Sequence, residues 1–213
     1  MNINTKKTNK ILLDPVLKNP PPPIVFGTGT IDRVASFKLL GVTITNNLSW
    51  EEHVGMISTK ASKRIHFFKL LKRSPMTSDD LLLYYKIDIR PVLEYACPVW
   101  QSGLTADQRD RLESIQRRTG YQAQRLISGS SDYEMQCILF DIEPIGVRLD
   151  NMARSFFRRI CDPADCLNYL LPNERSSEVM CRLRQANLLP GVICRTNRYF
   201  KSFLPYALKN YQF

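Results

Sequence analysis

The chain has 213 residues, 44% of them hydrophobic, and a formal net charge of +10. It is long enough to bury a core as one domain or two small ones. No run approaches the roughly 18 apolar residues of a membrane span, and no apolar h-region follows the polar, basic first ten residues. These features argue against a secreted or membrane protein and lead us to expect an intracellular one, nuclear or cytoplasmic. The charge is uneven. Residues 1–50 carry six Lys/Arg against two Asp, residues 101–150 carry six against eight acids, and residues 151–213 carry ten against four. Two basic ends around a near-neutral middle suit a phosphate-backbone binder, and equally a basic surface without a specific ligand.

Residues 2–17 run from polar and basic into a short apolar strand. Four consecutive prolines, 20–23, then favour an extended spacer. "VASFKLLGVTI" (34–44) reads as one strand. Phe37 and Leu39 point one way and Leu40, Val42 and Ile44 the other, which predicts burial on both faces, with Gly41 permitting a bulge.

A helix follows in 45–74. Ser49 caps it, with Glu52 three residues on as in a capping box. Trp50, Val54, Ile57, Ala61, Ile65 and Phe68 form its apolar stripe. Lys60, Lys63, Arg64, Lys69, Lys72 and Arg73 load its second half, which also suits the helix macrodipole. The next helix, in 76–100, starts at Thr77 or Ser78. Asp79 and Asp80 favour its first turn, and as helical neighbours about 100° apart they do not converge on a metal. Pro91 should kink or divide this helix. Its aromatic residues Tyr84, Tyr85, Tyr95 and Trp100 suit core packing better than base stacking. A third helix, in 104–120, is capped by Thr105, turns Leu112 and Ile115 inward and carries Arg117 and Arg118 near its end. Two more lie in 131–163 around a turn at 142–146, the second with a stripe of Leu149, Met152, Phe156 and Ile160. The final segment interleaves Arg195, Arg198 and Lys201 with Tyr199, Phe200, Phe203, Tyr206 and Tyr211.

Catalytic constellations are missing from this pattern. Convergent carboxylates for divalent metal, a G-x-S-x-G elbow and a Walker loop are not found. The six cysteines, at 97, 137, 161, 166, 181 and 194, include no C-x-x-C pair and predict reduced, mostly buried thiols in place of a zinc site.

Several segments, in order, resemble the C-terminal part of the reverse transcriptase of LINE-type (non-LTR) retrotransposons. "NINTKKT" is similar to the N-x-x-K-T element, and "FKLLGVTITNNLSWEEHV" to the primer grip and the helix after it. "RPVLEYACPVW" is similar to a thumb segment, and "LFDIEPIGVRLDNMARSFFRRICDP" and "CRTNRYFKSFLPYALKNYQ" to the C-terminal region. The resemblance implies an α+β, mostly α fold. A palm-end remnant with the primer-grip strand would occupy 1–48, a helical thumb-like domain 49–130, and a helical C-terminal region with a basic aromatic tail 131–213.

By the same resemblance, the metal-binding aspartates lie just upstream of the N-x-x-K-T element, and the parent RNA-directed DNA polymerase would use Mg. This chain is therefore expected to be inactive alone, with no cofactor of its own. Its partners would be an RNA/DNA template–primer duplex and the missing palm and fingers segments, with no membrane. The residues implied to bind nucleic acid are Phe37, Lys38, Leu39, Leu40, Gly41 and Val42 of the primer grip, Lys60, Lys63, Arg64 and Lys69 of the thumb, and Arg117, Arg118, Arg195, Arg198 and Lys201. Lys7 matches the lysine near the incoming nucleotide's phosphates, a vestigial role here. The alternative is a stand-alone helical module that binds nucleic acid or protein.

Overall fold

A computed structural model describes residues 8–13, 21–26, 29–124, 133–182 and 187–211. The fold is α+β and mostly helical, with a few small strands at the N-terminal end. The chain forms two compact units, Met1–Ile57 and Ser58–Phe213.

In the first unit, β1 (Asn9–Lys10) pairs in parallel with β4 (Asp32–Arg33), and β2 (Val25–Phe26) pairs antiparallel with β3 (Gly29–Thr30). The third pair is a hairpin of β5 (Ser36–Leu39) and β6 (Val42–Thr45), with Leu39 opposite Val42 and Phe37 opposite Ile44. The single strand expected over 34–44 is thus two strands folded back at Leu40-Gly41. Both turn residues have positive φ, 46° and 89°, as a tight two-residue hairpin turn demands. Gly41 serves the turn and not a bulge. Burial on both faces holds for β6, where Val42, Thr43 and Thr45 are buried, and fails for β5, where Phe37 and Leu39 are exposed.

The chain then enters α1 (Glu51–Leu71). Thr45 Oγ1 and Asn47 Oδ1 accept the Ser49 amide, and Ser49 Oγ accepts that of Glu51 at 3.3 Å. Val54, Ile57, Ala61, Ile65 and Phe68 are all buried, as their spacing predicts; Trp50 is half-buried.

In the second unit, α2 (Ser78–Tyr84) opens on a Thr77–Asp80 capping box, in which each residue's side chain accepts the other's amide. Pro91 distorts this helix without dividing it. A wide π turn, Tyr85–Ile89, precedes α3 (Arg90–Glu94), and the Arg90 amide reaches back five residues to the Tyr85 carbonyl. Proline cannot donate to the carbonyl four residues back and its ring crowds it; a widened turn relieves both. The division comes at Ala96, left-handed at φ 53°, before α4 (Cys97–Trp100). Tyr85 and Trp100 are buried, in line with the core expectation, and Tyr95 is exposed.

α5 (Ala106–Gln124) is capped by Thr105, whose amide and hydroxyl exchange hydrogen bonds with Gln108, and it buries Leu112 and Ile115. It runs through Gly120, four residues past the expected span. α6 (Tyr133–Leu139) and α7 (Ile145–Ile160) pack on it. The buried face of α7 is Ile145, Leu149, Ala153, Phe157 and Ile160. The expected stripe placed Met152 and Phe156 inside; both are half-buried, and Ala153 and Phe157 are buried in their places. The short helix α8 (Ser177–Arg182) follows.

The C-terminal segment folds back onto the core. α9 (Asn197–Phe200) and α10 (Phe203–Asn210) follow Leu189, and Ala207, Leu208 and Tyr211 are buried in one cluster with Ala153 and Phe157. Two of the tail aromatics expected beside the basic residues, Phe203 and Tyr206, pack against that cluster. The thiols also depart from expectation: all six are free, but only Cys97 is buried, and Cys166 and Cys181 are exposed.

Candidate nucleic-acid interface

In the first unit the primer-grip-like residues form the tip and edge of the β5–β6 hairpin. Leu40 is 84% exposed and Leu39 50% exposed, Lys38 and Gly41 are exposed, and Val42 alone is buried. The hairpin is held from the β6 side. The Thr43 amide donates to Nδ1 of the buried His53 on α1 at 3.3 Å, and Trp50 meets the same ring edge-on. Burial, and then the positive charge of Lys38, hold the His53 pKa below its ordinary value. The ring is therefore kept neutral, as an acceptor of the Thr43 amide must be.

In the second unit Lys60, Lys63 and Lys69 are exposed on α1, with His66 exposed between them. These four residues stand three apart. Each step of three turns the direction by about 60° and rises about 4.5 Å, so they form one row that winds half-way round the open side of the helix. Lys60 and Lys69 sit at its two ends and face opposite ways. No acid occurs from His53 to Ser78. Sequence reasoning missed His66; its spacing from Lys63 and Lys69 was the available signal.

The other expected cations divide into those near this row and those used elsewhere. Arg118 donates to Ser62 Oγ on α1 at 3.3 Å. Ser62 and Lys69 are seven residues apart, so the guanidinium stands on the flank that carries Lys69. Arg64 is half-buried and tied to Asp88 in the π turn, by an ion pair at 2.9 Å and a bond to its carbonyl. Arg117 lies over the Tyr133 ring. Arg195 and Arg198 are exposed around α9, and Lys201 gives its carbonyl to Ser102 Oγ at 2.7 Å. Arg64 and Arg117 are thus engaged within the fold. Lys7 lies outside the described residues.

Behind the α1–α5 surface is a polar network that the sequence did not announce. Glu113 of α5 accepts the Ile145 and Gly146 amides at 3.2 and 3.1 Å. It thereby caps α7, whose own N-cap residue, Pro144, has no side chain to do so. Glu113 also accepts from the Tyr133 hydroxyl. Gln116 joins Tyr85 at 2.6 Å, Tyr133 at 3.0 Å and the Glu143 carbonyl at 2.8 Å. Burial, then the carboxylate of Glu113, push the Tyr133 hydroxyl well above its ordinary range, so it remains a donor. The buried Glu94 holds both Arg90 and Arg148. Beside it Cys97 is driven by burial, and then by the Glu94 charge, up to about 12, which makes it an inert core thiol. Gln101 donates to the Tyr211 hydroxyl at 2.7 Å, and that hydroxyl donates to Asp150 at 2.6 Å. Among the described residues no group of three or more His, Cys, Asp or Glu is placed to hold a metal ion, and no helix is long and apolar enough to cross a membrane.

Comparison with known proteins adds a relative to this geometry. The chain is 28% identical, over 132 residues, to a probable RNA-directed DNA polymerase from the transposon X-element of Drosophila melanogaster. The matched stretch covers 61% of this chain and 14% of that protein. No family model and no solved structure matches. The likeness supports a relationship to reverse transcriptases from transposons.

Proposed function

We propose that this chain serves a LINE-type reverse transcriptase as a non-catalytic, C-terminal piece that holds the template–primer duplex by its phosphates. The observation that carries this reading is the exposed row Lys60, Lys63, His66 and Lys69 on an acid-free stretch of helix, with Arg118 fixed to its flank. Cations on a rigid helix act on a duplex backbone without reading its sequence. In the same reading, Lys38 through Gly41 present an edge and a tight turn to the primer strand. Lys63 and His66 hold the middle of the open side of α1, and Lys60 and Lys69 flank them at its two edges. Magnesium and the aspartates that bind it would act in the polymerase beyond these residues.

The test is equilibrium binding of an RNA–DNA heteroduplex to the wild-type chain, to the triple variant Lys60→Gln, Lys63→Gln, Lys69→Gln and to each single lysine variant, with Arg109→Gln on α5 as the control for loss of one charge outside the row. The triple variant should bind about a hundredfold more weakly near 0.1 M salt, and the control within about twofold. Equal affinity of the triple variant and the wild type would remove the row from the interface.

A second reading, a module that binds protein, has its own observation. Leu83 and Ile87, one turn apart on α2 and the π turn, are 55% and 67% exposed, and Phe67 on α1 is 59% exposed. Leu83 and Ile87, exposed one turn apart, would suit the edge of a contact surface. That reading predicts concentration-dependent association that Ile87→Asn abolishes and that salt does not weaken.

A further inference from the structure

Beyond the end of α7 the chain lines a half-open cavity of about 540 Å³ that duplex holding leaves unused. Its floor is apolar and includes the buried Phe157 and Leu189 with the half-buried Leu171. Arg158, Asn173 and Glu174 bring polar groups to its wall. Tyr169 lies on the lining yet remains 78% exposed. The short 3-10 turn that carries it, Asn168–Leu170, is fixed at both ends. Asn168 donates to the Ile160 carbonyl through its side chain at 3.0 Å and to the Asp165 carbonyl through its amide at 3.1 Å, and the Leu171 amide returns to Asn168 at 3.0 Å. A tyrosine held out on an anchored turn, over an apolar floor with a few polar groups, suits a flat heteroaromatic ring. The volume lies in the range of small-molecule sites.

We propose that this cavity takes an unpaired nucleobase of a single-stranded nucleic acid. The base stacks on Tyr169, its edge meets Asn173 and Glu174, and the adjoining phosphate meets Arg158. A carboxylate and an amide together satisfy the N–H donors and ring acceptors of a base edge. Arg159, next to Arg158, is ion-paired with Asp165 at 3.1 Å and lies over the Phe156 ring, so Arg158 alone is assigned the phosphate. The proposal rests on the duplex-holding reading and adds a separate place for the strand that leaves the duplex.

Fluorescence anisotropy with a labelled 12-nucleotide single strand and a labelled duplex tests it. Tyr169→Ala should weaken single-strand binding about tenfold and leave duplex binding within about twofold, while Tyr169→Phe, which keeps the ring, should bind as the wild type does. Leu189→Trp, which fills the cavity, should weaken the single strand alone. Single-strand affinity that ignores both Tyr169→Ala and Leu189→Trp overturns the pocket, as does a loss shared equally with the duplex. A chain that binds the duplex but shows no Tyr169 effect sinks this proposal only. A chain that binds neither nucleic acid sinks the duplex reading with it.

Discussion

The β5–β6 hairpin and the α3–α4 segment both carry the resemblance to a polymerase, and they use their residues in opposite ways. In the hairpin, Phe37, Leu39 and Leu40 are turned to solvent, and the turn is built on a leucine with positive φ. Between α3 and α4, Leu93, Cys97 and Trp100 are fully buried, and Glu94 ties down two arginines. The fold alone accounts for the second set. It does not account for the first, because an exposed leucine in the left-handed region costs roughly 1–2 kcal/mol and gains no core. The difference separates the similar residues that build the core from those that the fold leaves at the surface.

The strongest way to break the comparison is at Trp100. Its ring is fully buried and its Nε1 donates to the Tyr95 carbonyl at 3.0 Å, which also braces the left-handed Ala96 that ends α3. Trp100→Ala should destabilise the second unit by about 3–5 kcal/mol in urea unfolding followed by circular dichroism. A loss below about 1 kcal/mol would mean that this segment is not architectural. Next comes Glu113. Glu113→Ala frees two amides at the start of α7 and the Tyr133 hydroxyl, and should cost about 1–2 kcal/mol by the same measurement.

These two effects also show what was legible beforehand. The stripe of α1 and the caps at Thr77 and Thr105 could be read because they depend on residues a turn or two apart. On α7 Leu149 and Ile160 are buried as expected, but Ala153 and Phe157 take the places expected of Met152 and Phe156, because Ala153, small and easily passed over, shares a cluster with α10 while the bulkier pair sits at the margin. The hairpin was missed because Leu40 is a poor turn former, so only Gly41 signalled it. The Glu113 cap, 32 residues from the amide it satisfies, and the Gln101–Tyr211 bond, across 110, had no local signature. Of the expected interface, the α1 lysines were legible as a charge run. That Arg64 belongs to Asp88 and Arg117 to Tyr133 was not, because both pairings depend on how the helices pack.

A smaller effect sharpens the hairpin side. Asparagine tolerates positive φ better than leucine, so Leu40→Asn should raise the stability of the first unit by about 1 kcal/mol. The same change should weaken duplex binding if Leu40 is retained for contact. A gain in stability with unchanged binding would take the hairpin tip out of the interface.

The smallest expected effect is the pH dependence at His53. Its pKa is lowered in the folded chain, so the unfolded chain takes up the proton first as pH falls through about 6.5. The first unit is therefore fully stable above that pH and loses stability below it, toward the folded-state pKa. Trp50 fluorescence during urea unfolding at pH 7.5 and 5.5 should show a lower midpoint at 5.5 in the wild type. His53→Gln, which keeps an acceptor for Thr43, should shift less.

The salt dependence of heteroduplex affinity bears most directly on the central claim, that this chain holds a nucleic-acid duplex through the cations on α1 and α5. Each neutralised phosphate contributes about 0.9 to the slope of log affinity against log salt. With Lys60, Lys63, Lys69 and Arg118 engaged, the slope should lie near −3 to −4, and the triple lysine variant should flatten it to about −1. A wild-type slope near zero, or one that the triple variant leaves unchanged, would contradict the account.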